Sequence, residues 1–265
     1  MKPVRIVVRL LLPALAVAGI AAGQGVGSGT AVVVLRSAKV LFTAVDSKET
    51  YRQYQGGSSA TEERTVCKVA RVGPYYAIVA GIAHASNGFD TLRVAQSLYR
   101  PGDGLDALAS RIRESLPVQL TPLLDSLRNA DPSGFAGQYE GQAAVQLALV
   151  GREGGQPRVV SVEFVIANRG GGFPALSTRV MSCPGDCPSP TSAYFFGTHG
   201  KIDEFLRQHP GFTVHPDESR AEALLNLEYA DRPDLVGGPV STIRIDGSGD
   251  AMVRGGACAA DGHAQ

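Results

Sequence analysis

The stretch GSGTAVVVLRSAKVLFTAVDSKE, residues 27–49, contains two apolar runs that are joined by a short polar segment. Ala31–Leu35 and Val40–Val45 are continuously apolar rather than alternating, which is typical of strands that are covered on both faces. The polar segment Arg36–Lys39 between them predicts a tight turn, and so a strand hairpin. Thr30 stands where the first strand begins, directly after a flexible Ser-Gly step. It is either an ordinary β-forming residue or a nucleophile at the start of a cut chain.

The rest of the chain alternates between strand pairs and helix pairs. Strands are expected over Val66–Val72, Tyr75–Ala80, Ala143–Val150, Arg158–Ile166, Val240–Ile245 and Ala251–Arg254. Helices are expected over Phe89–Tyr99, Leu105–Leu116, Lys201–Gln208 and Asp217–Tyr229. Sheets that need cover on both faces, together with helices in adjacent pairs, indicate helix–sheet–sheet–helix layering. We therefore expect an α+β fold, a four-layer αββα sandwich, that forms one domain over residues 30–265.

Three local features refine this expectation. The polar segment Gln55–Arg64 is expected to be a surface loop. Asp103 is expected to cap the second helix. Pro117 and Pro122 are expected to break or restart that helix, because proline removes a backbone donor and clashes with the preceding turn.

The first 23 residues have the layout of a secretory signal peptide. A positively charged start precedes an almost purely apolar run, Leu10–Ala22, which ends in small residues. We expect export to the periplasm or the extracellular space, with no stable membrane insertion once residues 1–23 are removed. An uncleaved membrane anchor is the alternative, although the apolar run only just reaches the length of a span when it is counted from Ile6, and Pro13 interrupts it. Residues 24–29 would then be a short propeptide or linker.

Charge and cysteine content restrict the class of function. The 25 basic residues balance the 25 acidic ones, so nothing in the composition favours a nucleic-acid partner. Cys183 and Cys187 bracket a Pro-Gly-Asp turn, and in an oxidising compartment they are expected to form a disulfide with Cα atoms about 4.4–6.8 Å apart. Cys67 and Cys258 are either free or paired. No further Cys or His stands at zinc-ligand spacing near the Cys183 turn, and we expect neither a metal nor a cofactor.

Several segments, taken in order, resemble the proteasome β-type subunits. Gly29-Thr30 and residues 44–48, AVDSK, are similar to the family's opening strands, in which a freed N-terminal threonine begins the first strand and an A-x-D-S-[RK] stretch closes the second. Residues 67–69 and 80–81 resemble the family's lysine strand and its glycine. The turn at residues 236–240, VGGPV, resembles the double-glycine turn that follows the family's last long helix. The likeness covers nearly the whole chain after Thr30.

The resemblance implies an N-terminal-nucleophile hydrolase that cleaves peptide or other amide bonds after self-cleavage between Gly29 and Thr30. In that reading Thr30 is the nucleophile and Lys68 its charge partner. Asp46 holds the lysine, and Gly81 offers its backbone N–H to the oxyanion. A free α-amine titrates at about 7.7–8.0 and can serve as the base, and a nearby ammonium lowers that value further. Family members form rings, so a homo-oligomer is expected, with the apolar faces of the helices over residues 89–116 available to a partner.

Two supporting positions differ from the family's pattern. Thr198 and His199 stand where the family has a serine in a G-S-G-like turn. Before the double glycine Asp234 is near, but Val236 replaces a hydroxyl residue. Thr198, His199 and Asp234 are therefore the candidate supporting residues. These differences leave a second hypothesis open, a catalytically inactive protein of the proteasome fold that serves as a binding or assembly module.

Overall fold

The computed structural model describes residues 24–55, 58–167, 175–187, 189 and 191–258. The signal peptide expected over residues 1–23 lies outside the described residues. Within the described part the chain is a mixed α and β protein of antiparallel sheets and helices, consistent with the α+β class. None of the helices in these ranges is long and apolar enough to cross a membrane.

The secondary-structure elements alternate as the sequence pattern indicates, with additions. The strands are β1 (Gln24–Ser28), β2 (Ala31–Arg36), β3 (Leu41–Val45), β4 (Lys48–Gln55), β5 (Ser58–Thr65), β6 (Val69–Val72), β7 (Tyr75–Gly81), β8 (His84–Ala85), β9 (Ala143–Glu153), β10 (Gln156–Ala167), β11 (Ala175–Cys183), β12 (Ser192–Gly197), β13 (Ser241–Asp246) and β14 (Gly249–Arg254). The helices are α1 (Thr91–Leu98), α2 (Leu105–Ala130), α3 (Pro132–Gln138), α4 (Gly200–Gln208) and α5 (Glu218–Asp231).

Two five-stranded antiparallel sheets contain most of the strands. One has the order β12-β2-β3-β13-β14 and the other β11-β10-β9-β7-β6. A smaller sheet, β5-β4-β1-β8, lies beside them. The hairpin expected from residues 27–49 forms with Val33 opposite Ala44, so the short turn sets its register.

The apolar runs are continuous because each face of the strands meets a different core. Along β2, Val32 and Val34 belong to a core shared with β6, β7 and β9 of the other large sheet. Ala31, Val33 and Leu35 point the other way and pack with α4 and α5. The outer face of the β9–β10 sheet is covered in the same manner by α1 and α2. Alternate side chains of one strand therefore bury apolar surface on both of its sides.

The first two of the three local expectations, the surface loop and the helix cap, were wrong. Gln55–Arg64 is not a loop, since its described residues form the last position of β4 and nearly all of β5, in a hairpin that is paired from Lys48 to Thr65. Gly104, not Asp103, is the N-cap of α2. The Asp103 carboxylate instead accepts a hydrogen bond from the backbone N–H of Arg100.

The prolines do not break α2, which runs without interruption for 26 residues. The helix carries a stripe of buried leucine and isoleucine side chains on both sides of Pro117 and Pro122, at Leu108, Ile112, Leu116, Leu120 and Leu124. Packing of this stripe against the sheet outweighs the local cost of the two prolines.

Two disulfides connect the described cysteines. Cys183 and Cys187 are bonded with Cα atoms 5.3 Å apart, within the range expected from the sequence. Cys67 and Cys258 are also paired, with a Cα separation of 4.7 Å, which decides the alternative that the sequence left open. This second bridge anchors the residue next to Lys68 to the segment that follows β14. Both bridges are compatible with an exported protein.

Candidate active site

A buried ion pair lies where the strand hairpin meets the strand that begins at residue 69. Lys68 Nζ donates to Asp46 Oδ1 at 3.0 Å, and both side chains are about 1% exposed. Asp46 directly follows β3, and Lys68 directly precedes β6. The tertiary fold therefore brings together two residues that each stand at the end of a strand.

The carbonyl groups around Thr30 complete the environment of the lysine. Lys68 Nζ also donates to the carbonyl oxygen of Gly29 at 2.8 Å and to that of Lys48. The Thr30 hydroxyl donates to the same Gly29 oxygen. An ammonium has three donors and no acceptor, so Lys68 has its full set of partners when it is charged. In the uncut chain the Lys68 ammonium thus donates a hydrogen bond to the carbonyl oxygen of the Gly29–Thr30 peptide bond.

Backbone donors hold both carboxylate oxygens of Asp46 and fix the orientation of the group. Ala31 N–H donates to Asp46 Oδ1 at 3.0 Å, and Gly237 N–H donates to Asp46 Oδ2 at 3.0 Å. The Gly237 carbonyl in turn accepts from the N–H groups of Ser47 and Lys48 at 3.1 and 2.9 Å. The double-glycine turn is therefore built around Asp46, and Asp46 joins it to the start of β2.

Burial acts on both members of the ion pair. It raises the pKa of Asp46 and lowers the pKa of Lys68, because each charged form loses hydration. The attraction between the two charges opposes both shifts. For Asp46 the two backbone N–H donors act in the same direction as the lysine, and for Lys68 the nearby Glu49 carboxylate adds to the opposing effect.

A cavity of about 340 Å³ opens beside Thr30. Gly29, Thr30 and Gly81 all line it. Gly81 has a φ of 84°, and a Cβ atom there would lie 2.4 Å from the carbonyl oxygen of Ala144, so only glycine fits this turn. Thr30 and Gly81 thus line one small space, whereas Asp46 and Lys68 are buried outside its lining.

The candidate supporting residues have different environments. Thr198 lines the cavity, and its N–H donates to the carbonyl oxygen of Thr30 at 2.8 Å. His199 also lines the cavity, but its Nδ1 lies 2.9 Å from Asp203 Oδ2. Asp234 is exposed and forms two hydrogen bonds to the Arg232 guanidinium, at 3.1 and 3.0 Å. The adjoining residue, Leu235, is the one that reaches the cavity wall.

Residues 24–28, expected to be a propeptide or linker, form a regular strand. β1 lies between β4 and β8, with Gly27 opposite both Tyr51 and His84. Sequence reasoning missed this strand because a glycine-rich stretch has neither alternation nor an apolar run. Its position means that the segment before the Gly29–Thr30 bond is already held as an extended strand.

Two further groups near the cavity also escaped the sequence analysis. Gln146 accepts from the N–H of Gly197 at 2.7 Å, and Gly197 approaches the Thr30 carbonyl so closely that a Cβ would lie 2.0 Å from its oxygen. Glu49 is buried, and its Oε1 lies 3.0 Å from His84 Nδ1. The pattern that could have indicated Gln146 is a lone amide side chain in the apolar sequence of β9. No local pattern indicated Glu49.

The described residues offer no cluster of three or more His, Cys, Asp or Glu side chains that could hold a metal ion. The chemistry available is that of a hydroxyl, an ammonium, a carboxylate and backbone N–H groups. No known family model matches the chain, and no curated protein matches it either.

Proposed function

We propose that this protein is an exported N-terminal-nucleophile hydrolase of the proteasome β type, which cleaves peptide or other amide bonds once Thr30 is freed. The observation that carries the proposal is the position of Lys68. Its Nζ contacts both the Gly29 carbonyl oxygen and the Asp46 carboxylate, beside the Thr30 hydroxyl. Two large sheets with helices on their outer faces support the four-layer αββα sandwich of this hydrolase type.

In the proposed self-cleavage, Thr30 Oγ1 attacks the carbonyl carbon of Gly29. The C–N bond to Thr30 then breaks and leaves an ester, while the hydroxyl proton ends on the Thr30 nitrogen. Water then hydrolyses the ester to a Gly29 carboxylate and restores the Thr30 hydroxyl, on a residue whose amine was freed when the C–N bond broke. Negative charge develops on the Gly29 oxygen in the tetrahedral intermediate, and the Lys68 ammonium, 2.8 Å from that oxygen, stabilises it.

Cleavage of a substrate would use the same groups in other roles. The freed Thr30 amine takes the hydroxyl proton, since an α-amine titrates at about 7.7–8.0 and the Lys68 charge favours its neutral form. Gly81 lines the cavity and is the proposed N–H donor to the substrate oxyanion. Asp46 keeps the lysine charged and in place.

A catalytically inactive binding or assembly protein of the same fold is the second candidate. Val236 is fully buried where the family carries a hydroxyl, and His199 is engaged by Asp203.

A homo-oligomer is proposed on the resemblance alone. The apolar side chains of α1 and α2 are buried against their own sheet, which removes the surface that we expected a partner to share.

The variant Thr30→Ala tests the proposal. The parent chain, purified after secretion, is expected to begin at Thr30 by mass spectrometry, and the variant is expected to keep residues 24–29. Hydrolysis of peptide amides by the variant should fall by about a thousandfold or more, since the nucleophile is lost. Thr43→Ala is the matched control, because Thr43 is a fully buried threonine in the middle of β3.

The two candidates separate cleanly in this experiment. A parent chain that begins at Gln24 or nearby, with no trace of a Thr30 start, would favour the inactive protein. Full peptide-amide hydrolysis by Thr30→Ala would contradict the proposed nucleophile.

A further inference from the structure

The segment before Thr30 occupies a slot between two strands. β1 pairs antiparallel with β4 over five residues and with β8 over two. The N–H groups of Ala83 and Ser86 also donate to the carbonyls of Gly27 and Gly25, at 3.1 and 2.9 Å. Val26 is fully buried in the core that contains α2 and β7. The slot thus holds an extended peptide by its backbone and buries one of its side chains.

The opposite face of β1 has no room for side chains. A Cβ atom on Gly27 would lie 2.1 Å from the Glu49 carboxylate, and one on Gly25 would lie 2.2 Å from the Tyr51 hydroxyl. Both distances are far below a van der Waals contact. Glycine is therefore required at the third and fifth positions before the Gly29–Thr30 bond, which is a steric requirement imposed by Glu49 and Tyr51.

Neither obstructing side chain is free to turn aside. The Glu49 side chain is only 2% exposed, and its carboxylate is held 3.0 Å from His84 Nδ1 on the other side of β1. Moving it would break a buried, charge-assisted contact. The Tyr51 ring is 7% exposed, and the Arg64 guanidinium lies over it, 3.7 Å from the ring centroid. A cation in that position resists displacement of the ring.

We propose that this slot selects extended peptide segments with glycine at the third and fifth positions before the cleaved bond and a small aliphatic residue at the fourth. Glu49 and Tyr51 are the specificity-determining residues, and β1 is the slot's intramolecular occupant. The inference rests on the proposed function, in which the slot that holds β1 before self-cleavage takes peptide substrates afterwards. The substrate class is then glycine-rich protein segments with the pattern Gly-Val-Gly.

The test begins with a chain that cannot cut itself. In full-length Thr30→Ala, amide hydrogen exchange over residues 24–28 reports how firmly β1 is seated. Adding Gly27→Ala is expected to raise exchange there by about tenfold or more, because the new methyl overlaps the Glu49 carboxylate. Adding Glu49→Ala as well removes the obstruction, and exchange should then match that of Thr30→Ala with Glu49→Ala, which keeps Gly27 and has equally lost the Glu49–His84 contact. Gly211→Ala, at a glycine with open space around it, is the control and should change nothing at β1.

Self-cleavage and peptide hydrolysis supply the second readout. With Thr30 intact, Gly27→Ala should slow self-cleavage, and the additional Glu49→Ala should bring the rate to that of Glu49→Ala alone. The mature protein should hydrolyse the amide of Gln-Gly-Val-Gly-Ser-Gly at least about tenfold faster than that of Gln-Gly-Val-Ala-Ser-Gly.

The outcomes separate the two proposals. Exchange that Gly27→Ala leaves unchanged, or that Gly27→Ala raises equally with and without the Glu49 side chain, would overturn the slot's selectivity whatever the activity. If the exchange pattern is as expected but the protein with Thr30 intact never cuts itself, the selectivity of the slot is supported and the hydrolase function is contradicted.

Discussion

Lys68 is the residue on which the buried polar cluster depends. Its ammonium is shared between the Asp46 carboxylate and the carbonyl oxygens of Gly29 and Lys48. A buried lysine is costly unless such partners replace its hydration. These contacts also place the ammonium beside the Gly29–Thr30 bond. The residue that pairs with Asp46 is therefore the one that lies closest to the proposed cleavage site with a positive charge.

Lys68→Met removes the charge and leaves an apolar side chain, and it is made in Thr30→Ala, the parent for this comparison, so that both proteins keep residues 24–29. Asp46 then remains buried without its cation, and its pKa rises further because burial disfavours the carboxylate. The free energy of unfolding at neutral pH is expected to fall by about 3–5 kcal/mol. Urea unfolding followed by circular dichroism measures this change, with the exposed Lys39→Met as a control that should stay close to the parent.

The same variant has a defined pH dependence. A carboxyl whose pKa is raised in the folded state stabilises the fold below its unfolded pKa and loses that effect as the pH rises. The difference in unfolding free energy between the parent and Lys68→Met should therefore be largest near neutral pH and shrink as the pH falls to about 4. A difference that is independent of pH would contradict a buried, unpaired Asp46 as its cause.

At the scale of elements, β1 is the strand that connects the site to its surroundings. It is short and rich in glycine, and such a strand has little intrinsic β preference. Its order comes from pairing with β4 and β8 on its two sides, from burial of Val26, and from the contact between Glu49 and His84. The element is therefore stabilised almost entirely by tertiary contacts.

The seating of β1 is expected to weaken as the pH rises. The hydrogen bond to Glu49 raises the pKa of His84; burial opposes this shift, the charge of Asp90 adds to it, and Arg93 acts against it. A histidine whose pKa is raised on folding stabilises fully below its unfolded value of about 6.5 and loses that effect as the pH passes the folded value. Amide exchange over residues 24–28 in Thr30→Ala, corrected for intrinsic rates, should thus be faster at pH 8 than at pH 6.

His84→Asn serves as the control for this pH effect. It lacks the titrating ring, so the corrected exchange over β1 should be the same at both values of pH. A pH dependence that survives in His84→Asn would assign it to another group.

At the scale of the molecule, the Cys67–Cys258 bridge closes nearly the whole described chain into one loop. It joins residues 191 positions apart, whereas Cys183 and Cys187 are separated by 4. Because the loss of entropy in the unfolded chain grows with loop length, the long bridge is expected to stabilise the fold more. It also joins Cys67, the residue beside Lys68, to the segment that follows β14, an edge strand of the sheet that contains β2 and β3.

Cysteine variants test this difference. Cys258→Ser is expected to lower the free energy of unfolding by roughly 5 kcal/mol and Cys187→Ser by roughly 2 kcal/mol in the chain-entropy model. Guanidinium unfolding of the two variants and the parent under non-reducing conditions measures both values. Equal losses would show that loop length does not govern the effect of these bridges.

The sequence by itself determined the elements whose signal is local. Continuous apolar runs predicted β2 and β3, and periodic apolar residues predicted the first half of α2, because burial leaves its pattern in consecutive residues. The resemblance to the proteasome β-type subunits, rather than the pattern of the strands, marked Asp46 and Lys68 as residues of interest. The elements and pairings without such a local pattern depend on contacts between segments that are distant along the chain.

Only the tertiary structure decided the rest. β1 has no pattern of its own and is a strand because Tyr51 and His84 pair with Gly27 from both sides. Packing on the sheet overrode the prolines of α2, and the approach of two chain segments decided the pairing of Cys67 with Cys258. The physical reason is common to all three. Local propensities amount to about a kilocalorie per residue, or about three for a proline, and many packing contacts together exceed them.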